Sequence, residues 1–262
     1  MKNVADQLQE SGTILFKYRS MATKTERNYT LDIFDNHRLY CSAPVSFNDP
    51  FECRVEISFV KNKRAKERLK KINPLMTKIL EALTPNRVKQ MDEGNPEEFL
   101  RWLQYDTRVV SFSEINDDIL MWSHYAGRHN GVCIEFSCTD KRHADFLAQA
   151  FPVKYQQELP SINYYATPLI KQLEAFILTK AKHWEYEKER RIVIADTIRD
   201  SRYIALPSGI ISAIYLGCKI SPKNRNEIFR RVGSVSSHSN IRLFQAKQQS
   251  DAYALDFELI NK

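Results

Sequence analysis

Three groups of polar residues, far apart in the chain, have side chains that can act on a glycosidic bond. They are Arg19 at the end of TILFKYR, Ser111 and Ser113 in VVSFS, and Glu187 and Glu189 in WEYEKE. A guanidinium can bind a phosphate through two parallel hydrogen bonds. Hydroxyls can orient a ribose, and a carboxylate can stabilise the oxocarbenium-like transition state of glycosidic cleavage. The combination suits cleavage of the bond between nicotinamide and ribose, so NAD is the expected substrate.

Each group also has an ordinary structural interpretation. An arginine at a strand end usually pairs at the surface, and Ser-x-Ser is a common sequence. Glu-x-Glu beside Arg190 and Arg191 is typical of solvated ion pairs. The catalytic hypothesis therefore depends on the three groups occurring together and in this order.

The segment from Val109 to Phe136 is predicted to form a strand, a short helix and a second strand. Its glycines and alternating apolar residues set the boundaries of these elements. Ser111 and Ser113 fall on one face of the first strand. In the helix, Trp122 or Tyr125 can stack on a nicotinamide ring. His124 lies in the same turn, and helix phase leaves open whether it faces the pocket or the core.

Two other chemistries at this segment are weaker hypotheses. His124, His129, Cys133 and Cys138 are possible zinc ligands, but the two cysteines are an odd number of residues apart in a predicted strand and point to opposite faces. We therefore expect no metal. A Cys133 nucleophile with His124 as base and Glu135 as orienting acid stays possible and nonspecific.

No GxGxxG, P-loop, GxSxG or HExxH motif occurs, which argues against the enzyme families that those motifs define. A nuclease-like or hydrolytic site built on Asp49, Glu135 and His124 remains open, and a divalent-metal titration would be its first test.

The charge distribution offers a non-catalytic alternative. The chain has a formal net charge of +7, and most of the excess lies in KNKRAKERLKK, from Lys61 to Lys71. Its basic residues are Lys61, Lys63, Arg64, Lys66, Arg68, Lys70 and Lys71. Such a run is usually a solvated helix face, but it can also contact nucleic-acid phosphates. With no apolar run long enough to span a membrane and no signal-peptide core, we expect a cytoplasmic protein.

The remaining periodicity predicts one α+β domain over residues 1–262. Alternating apolar residues predict several strands, and the pattern becomes helical from about residue 60 to 106. No flexible linker brackets that helical stretch, so we interpret it as an insertion beside a sheet. The five cysteines are scattered and are expected to be reduced core residues.

Several long words of the sequence resemble a widespread bacterial family known as the domain of unknown function number twenty-nine seventy-one. They are FKYRS, CSAPVSFNDPFE, VVSFSE, MWSHYAGRHNGVCIEF and HWEYEKERRIVI, from about Leu15 to Ile194. The family name implies no activity.

The order Arg, Ser-x-Ser, Glu-x-Glu also resembles the ADP-ribosyltransferase superfamily. That resemblance implies a mixed, largely antiparallel split β-sheet and transfer of ADP-ribose from NAD to a macromolecular acceptor, in the setting of a toxin or a phage-defence effector. It implies Glu189 as the catalytic acid, Glu187 as its partner and Arg19 as a dinucleotide ligand. The chain departs from the pattern at Phe112, where that class usually has Thr, and in the helical insertion. The acceptor and the oligomeric state stay open.

Overall fold

The computed structural model describes residues 13–59, 96–194, 202–234 and 240–260. These residues form a mixed α+β protein with a mostly antiparallel sheet, as predicted. The strands are β1 (Ile14–Arg19), β2 (Arg38–Tyr40), β3 (Glu56–Ser58), β4 (Arg108–Ser113), β5 (Val132–Ser137), β6 (Ala150–Pro152), β7 (Lys154–Gln156), β8 (Ser161–Asn163), β9 (Thr179–Ala181), β10 (Glu189–Ile194), β11 (Tyr203–Ala205), β12 (Ile211–Leu216), β13 (Arg242–Gln248) and β14 (Leu255–Leu259). The helices are α1 (Lys24–Asn36), α2 (Pro96–Arg101), α3 (Ile119–Tyr125), α4 (Lys141–Leu147), α5 (Leu169–Ile177) and α6 (Pro222–Ser234).

Eight strands form the main sheet, in the order β14-β13-β12-β5-β1-β4-β10-β6. Its neighbours are antiparallel except β12 and β13, which are parallel. Glu135, Phe16, Ser113 and Glu189 lie directly opposite one another across β5, β1, β4 and β10. Residues opposite each other in antiparallel strands share a face of the sheet. This row therefore fixes which side chains of the four central strands lie on the same side.

The two faces of the sheet pack against different elements. One face presents Leu15, Phe112 and Ile134 to α1 and α6 and holds the largest apolar cluster. The other face presents Phe16 and Tyr18 to α3, beside a smaller cluster that includes Trp122. Polar side chains on this second face come from β4, β5 and β10.

Local sequence signals explain the helix boundaries near the sheet. Thr23 and Glu26 form a capping box at the start of α1, and His37 ends that helix in the left-handed conformation. Asp118 caps α3 by accepting hydrogen bonds from the backbone N–H groups of Leu120 and Met121. The predicted strand, helix and strand between Val109 and Phe136 are thus confirmed as β4, α3 and β5.

The predicted helical insertion is described only in part. Residues 60–95, with the basic run from Lys61 to Lys71, lie outside the described residues. After them come α2 and one π-helical turn, Trp102–Asp106, whose Trp102 and Leu103 are buried. That the whole chain forms a single domain stays a prediction. Of the described helices, none is both long and apolar enough to cross a membrane.

Candidate functional site

A cluster of buried charges lies on the face of the sheet that packs against α3. It consists of Glu52, Lys180, Glu187, Glu189 and Arg191, whose side chains are each at most 7% exposed. Glu189 and Arg191 are two apart in β10 and share a face, while Lys180 comes from β9. Three carboxylates and two cations give the cluster a formal charge of −1. Burying such an excess is costly unless every group is paired.

Arg191 is the most enclosed member of the cluster. Its guanidinium holds Glu189 with two hydrogen bonds, Nε to Oε1 at 2.8 Å and Nη2 to Oε2 at 2.9 Å. It also donates to the Glu52 carboxylate and to the backbone carbonyl of Ile177. This bidentate arrangement is the strong form of an arginine–carboxylate pair. It fixes the orientation of the Glu189 carboxylate.

The Lys180 ammonium lies within 4 Å of all three carboxylates. Its Nζ lies 2.6 Å from Glu187 Oε2, 3.2 Å from Glu189 Oε2 and 3.6 Å from Glu52 Oε2. The ammonium therefore brings the Glu187 and Glu189 carboxylates together, although neither residue's backbone hydrogen-bonds to the other. Burial opposes the charge on Lys180, but the three acids outweigh burial and raise its pKa.

A left-handed residue, Lys188, lies between Glu187 and Glu189 and brings both side chains to the same side. Glu187 ends a short 3-10 helix, Lys182–Glu187, and Lys188 then adopts the left-handed conformation with φ 43° before β10 begins. The hydroxyl of Ser113 donates to the Glu187 carbonyl at 2.6 Å, and the Glu189 N–H donates to the Tyr155 hydroxyl at 2.7 Å. These contacts anchor the turn that carries both glutamates.

The two glutamates differ in their electrostatic surroundings. Burial raises the pKa of Glu187, and the neighbouring charge of Glu189 adds to that effect, while Lys180 opposes it. Burial also acts on Glu189, but Arg191 and Lys180 outweigh it and hold the pKa of Glu189 at about 2. Glu189 is therefore ionised at neutral pH. Glu187 is the acid of the pair that takes up a proton more readily.

Aromatic and polar side chains surround Glu187 on the outer side of the cluster. The Tyr125 hydroxyl donates to Glu187 Oε1 at 2.6 Å. The Trp184 indole lies 4.9 Å from Lys180 Nζ and donates to Asp49 Oδ2 at 2.7 Å. The exposed His124 ring meets Trp184 edge-on, with ring centroids 6.3 Å apart. The half-buried Tyr125 and Trp184 thus separate Glu187 from solvent.

The structure brings most of the predicted site residues together. Ser111 and Ser113 lie beside the glutamates, since the Ser111 hydroxyl bonds to Glu189 and that of Ser113 to the Glu187 carbonyl. Tyr125 contacts Glu187 directly. The two hydroxyls that were expected to order a ribose therefore bind the glutamates in this structure.

Arg19 is not brought to the glutamates. It lies opposite Val132 in β5, whereas Phe16, three residues earlier in β1, lies in the row that contains Glu189. An odd separation along a strand places two side chains on opposite faces. Arg19 therefore lies on the face with Leu15, across the sheet from Glu189. The expectation that Arg19 and Glu189 share a cleft is corrected by this register.

Three further expectations are corrected by burial or distance. Trp122 is fully buried, and its indole donates to the Asn116 carbonyl at 2.7 Å, so it is a core residue and cannot cover a ligand ring. Cys133 is also fully buried, and burial raises the pKa of its thiol well above the usual value, which disfavours a nucleophile. Glu135 lies three strand spacings from Glu189, ~14 Å away. Among the described residues, Asp49, Glu135 and His124 do not form a group that could hold a metal ion.

The possible zinc ligands also do not gather. His129 stacks on Trp122, and Cys133 is in the core. In the described parts of the chain, no three His, Cys, Asp or Glu residues are arranged to hold a metal ion. The five cysteines are all free thiols, three of them buried.

Sequence reasoning missed Glu52, Lys180, Arg191 and Trp184. Arg191 and Trp184 were in view, in the segment HWEYEKERR, but Arg191 was interpreted as half of a solvated ion pair. A better signal was parity: Glu189, Arg191 and Val193 alternate in one strand, so a buried Val193 predicts a buried Arg191. No local alternation of this kind predicts that Glu52 and Lys180 are buried.

The fold and the site define a mixed α+β protein with a buried, acid-rich charge cluster on one face of its central sheet. Residues 121–192 match the model of a family described as "Protein of unknown function (DUF2971)". The matched range begins in α3 and contains Lys180, Glu187, Glu189 and Arg191. The match supports the resemblance to that family. No curated protein and no solved structure matches the chain, and the resemblance to ADP-ribosyltransferases stays a prediction.

Proposed function

We propose that this protein is an ADP-ribosyltransferase-like enzyme that cleaves NAD at the nicotinamide ribose and transfers ADP-ribose to a macromolecule. The observation that carries the proposal is the convergence of Glu187 and Glu189 on Lys180, at 2.6 and 3.2 Å. Glycosidic cleavage generally uses a pair of carboxylates with different environments. Here the opposite directions of the two pKa shifts supply that difference.

In this proposal Glu187, rather than Glu189, touches the substrate. Glu189 accepts hydrogen bonds from Arg191 and Ser111 and contacts Lys180, which leaves little of its charge for a ligand. Glu187 has one cation and the Tyr125 hydroxyl. A ribose hydroxyl can replace that phenol, and the carboxylate then lies next to the developing oxocarbenium. Glu189 is a positioning residue that acts through Lys180.

In this proposal, aromatic rings next to Glu187 bind the nicotinamide ring. Trp184 is half-buried and His124 is exposed, so both rings can contact a planar heterocycle. Arg19 has no part in this binding, because it lies across the sheet. The pyrophosphate of NAD therefore needs other donors than the one expected from sequence.

The test is nicotinamide release from NAD, measured by chromatography, with and without a bacterial cell extract as the source of acceptors. We expect Glu187→Gln to reduce turnover by about a hundredfold or more, as for loss of a group that stabilises transition-state charge. Glu185→Gln is the matched control, because Glu185 is exposed in the same 3-10 helix and pairs only with Lys182 at 4.0 Å among the described residues.

Two results would contradict the proposal. One is the absence of nicotinamide release by the wild-type protein under both conditions. The other is a Glu187→Gln variant that is as active as the Glu185→Gln control. The thermal unfolding temperature of each variant is measured alongside, so that loss of activity is separated from loss of fold.

The alternative is a non-catalytic nucleic-acid-binding or defence-system module that uses Lys61 to Lys71. These residues lie outside the described ranges, and only the sequence supports this role. Several phosphate contacts would make the affinity for nucleic acid fall steeply with salt. Affinity that is absent or independent of salt would remove this alternative.

A further inference from the structure

Arg19 lies partly buried on the face of the sheet opposite to the glutamates, and one nitrogen of its guanidinium is unpaired. Its Nε is buried and has no hydrogen-bond partner among the described residues. A buried N–H group without an acceptor is costly, and on a guanidinium the acceptor is often an anion. The position of Arg19 therefore raises the question of which anion would satisfy it.

The end of β1 lies where two helices begin. β1 and β12 are both antiparallel to β5, so they run in the same direction, and each is followed by a 13-residue helix, α1 and α6, on the face that carries Leu15. Asn224 Nδ2 donates to the Met21 carbonyl at 2.8 Å, and Arg27 Nη1 donates to Asn224 Oδ1 at 3.4 Å. The first turns of the two helices therefore lie side by side, next to the end of β1.

Positive charge accumulates in this region. Helix N-termini carry partial positive charge, although the Glu26 N–H of α1 and the Asn224 N–H of α6 are already capped by the Thr23 and Ser221 hydroxyls. In the described part of the chain, Arg27 has no carboxylate partner. Lys17 shares the face of β1 with Arg19, and burial together with the Arg19 charge lowers the pKa of Lys17 to about 7. Arg19, two residues away in the same strand, thus disfavours the charge on Lys17.

The acid nearest to this region has one carboxylate oxygen bound in the helix cap. Glu26 is the charge that acts on Arg19, but its carboxylate accepts hydrogen bonds from the Thr23 backbone N–H at 2.9 Å and the Thr23 hydroxyl at 2.8 Å. It closes the capping box of α1 and forms no ion pair with Arg19 within 4.0 Å among the described residues. Arg19 is therefore left with unmet bonding capacity.

We propose that the surface beside the first turns of α1 and α6 binds a phosphate group, with Arg19 as the main ligand and Arg27 at its edge. A guanidinium with two adjacent helix N-termini suits a compact dianion. The shared chemistry is a phosphate monoester, either free phosphate or the terminal phosphate of a nucleotide. This site is separate from Glu187 and does not depend on the proposed function.

Inorganic phosphate is the first probe, titrated into the full chain by calorimetry at constant ionic strength, with thermal unfolding measured in parallel. We expect saturable binding and a rise in unfolding temperature, since a ligand that binds only the folded state stabilises it. Arg19→Gln should weaken binding by about tenfold or more, because one charge-assisted contact is lost. Adenosine monophosphate as second probe separates the two sources: tighter binding than inorganic phosphate indicates a nucleotide, and equal binding indicates free phosphate.

Arg142→Gln is the matched control, because Arg142 is an exposed arginine that pairs with Asp140 at 2.6 Å. It should bind phosphate as the wild type does, and so should Glu187→Gln, which keeps this result independent of NAD turnover. If Arg19→Gln does not fold, Arg27→Gln provides the same comparison. The proposal is overturned if the wild type shows no saturable phosphate binding, or if the folded Arg19 or Arg27 variant binds phosphate as tightly as the wild type.

Discussion

Two buried carboxylate sites lie on the same face of the sheet, and they are built differently. Glu135 in β5 accepts hydrogen bonds from the Ser212 hydroxyl at 2.6 Å, the Tyr215 hydroxyl at 2.6 Å and the guanidinium of Arg242 at 2.8 Å. One acid meets one cation, and the remaining partners are neutral. Around Glu187 and Glu189, by contrast, three acids share two cations.

The difference separates a site that only needs to be stable from one that can do chemistry. The formal charges of Glu135 and Arg242 cancel. Because the Arg242 side chain is 56% exposed, solvent screens the attraction between the two charges. The cluster of Glu52, Glu187 and Glu189 holds one negative charge in excess with both cations buried. Such an arrangement raises the pKa of the Glu187 carboxyl above its ordinary value, a feature that acid–base sites share.

The largest effect is expected from Arg191→Met. Removal of this guanidinium leaves Glu189 and Glu52 without their main partner in a buried position. Breaking a buried ion pair on one side costs about 3–5 kcal/mol. Chemical denaturation of the wild type and the variant measures the difference in free energy of unfolding.

Arg190→Met is the control for that experiment, since Arg190 is adjacent in β10 but points to the other face. It pairs with Glu114 at 2.6 Å, and both side chains are partly exposed. Loss of such a pair costs about 0–1 kcal/mol. Equal losses in the two variants would contradict the idea that the acid-rich cluster depends on buried pairing.

The pH dependence of stability is the second prediction. The pKa of Glu189 is about 2 in the folded protein, below its ordinary value of 4.5. A lowered pKa contributes stability that is fully present above about pH 4.5 and is lost as the pH falls towards 2. For this shift the contribution is roughly 3 kcal/mol. Urea denaturation between pH 2 and 5 should therefore show a weaker pH dependence for Glu189→Gln than for the wild type.

The Glu187 carboxyl should change the pH dependence of stability in the opposite direction to Glu189. Its raised pKa means that the folded state binds a proton more readily than the unfolded state. Its contribution is present below pH 4.5 and is lost as the pH rises through the folded pKa. Glu187→Gln should thus remove a decline in stability above pH 4.5. If Glu187→Gln and Glu189→Gln change the slope of stability against pH in the same direction, the assignment of different environments to the two glutamates is contradicted.

The comparison also shows what could be predicted from the sequence. Strands β1, β4, β5 and β12 follow from alternation of apolar residues, because a half-buried strand needs it. The pairing of Phe16 with Ser113 cannot be predicted in this way, since alternation fixes parity within one strand but not the register between strands. For that reason Arg19 was assigned to the wrong side of the sheet.

Long-range pairing explains the rest of what was missed. Arg191 and Glu52 are 139 residues apart in the chain, and no local pattern connects them. In an extended strand, residues two apart, such as Glu187 and Glu189, would lie on one side. They are on one side because Lys188 adopts a left-handed conformation between a 3-10 turn and β10. No pattern in the sequence predicts this left-handed turn.

A smaller effect is expected at the charge-balanced site. Glu135→Gln keeps the shape of the side chain. The Ser212 and Tyr215 hydroxyls bond to different oxygens of Glu135, so the Gln oxygen can accept from one of them and the Gln amide NH2 can donate to the other, while Arg242 can turn to solvent. The cost should be about 1–2 kcal/mol in the free energy of unfolding, with NAD turnover unchanged within about twofold, a change of less than 0.5 kcal/mol. Loss of turnover in a folded Glu135→Gln protein would remove the functional distinction between the two carboxylate sites.

The smallest effect is expected in the loop that contacts the acid-rich cluster. Glu135, by contrast, is bound by the strand residues Ser212, Tyr215 and Arg242. Asp49 accepts a hydrogen bond from the Trp184 indole at 2.7 Å, and Glu52 in the same loop bonds to Arg191. Trp184→Phe removes the indole donor but keeps an aromatic ring near Lys180. It should cost about 1 kcal/mol, as should Asp49→Ala. In a double-mutant cycle the two effects should fall short of additivity by about 0.5–1 kcal/mol. Strict additivity would mean that this hydrogen bond contributes nothing and that the pairing of Glu52 with Arg191 and Lys180 holds the loop against the glutamates.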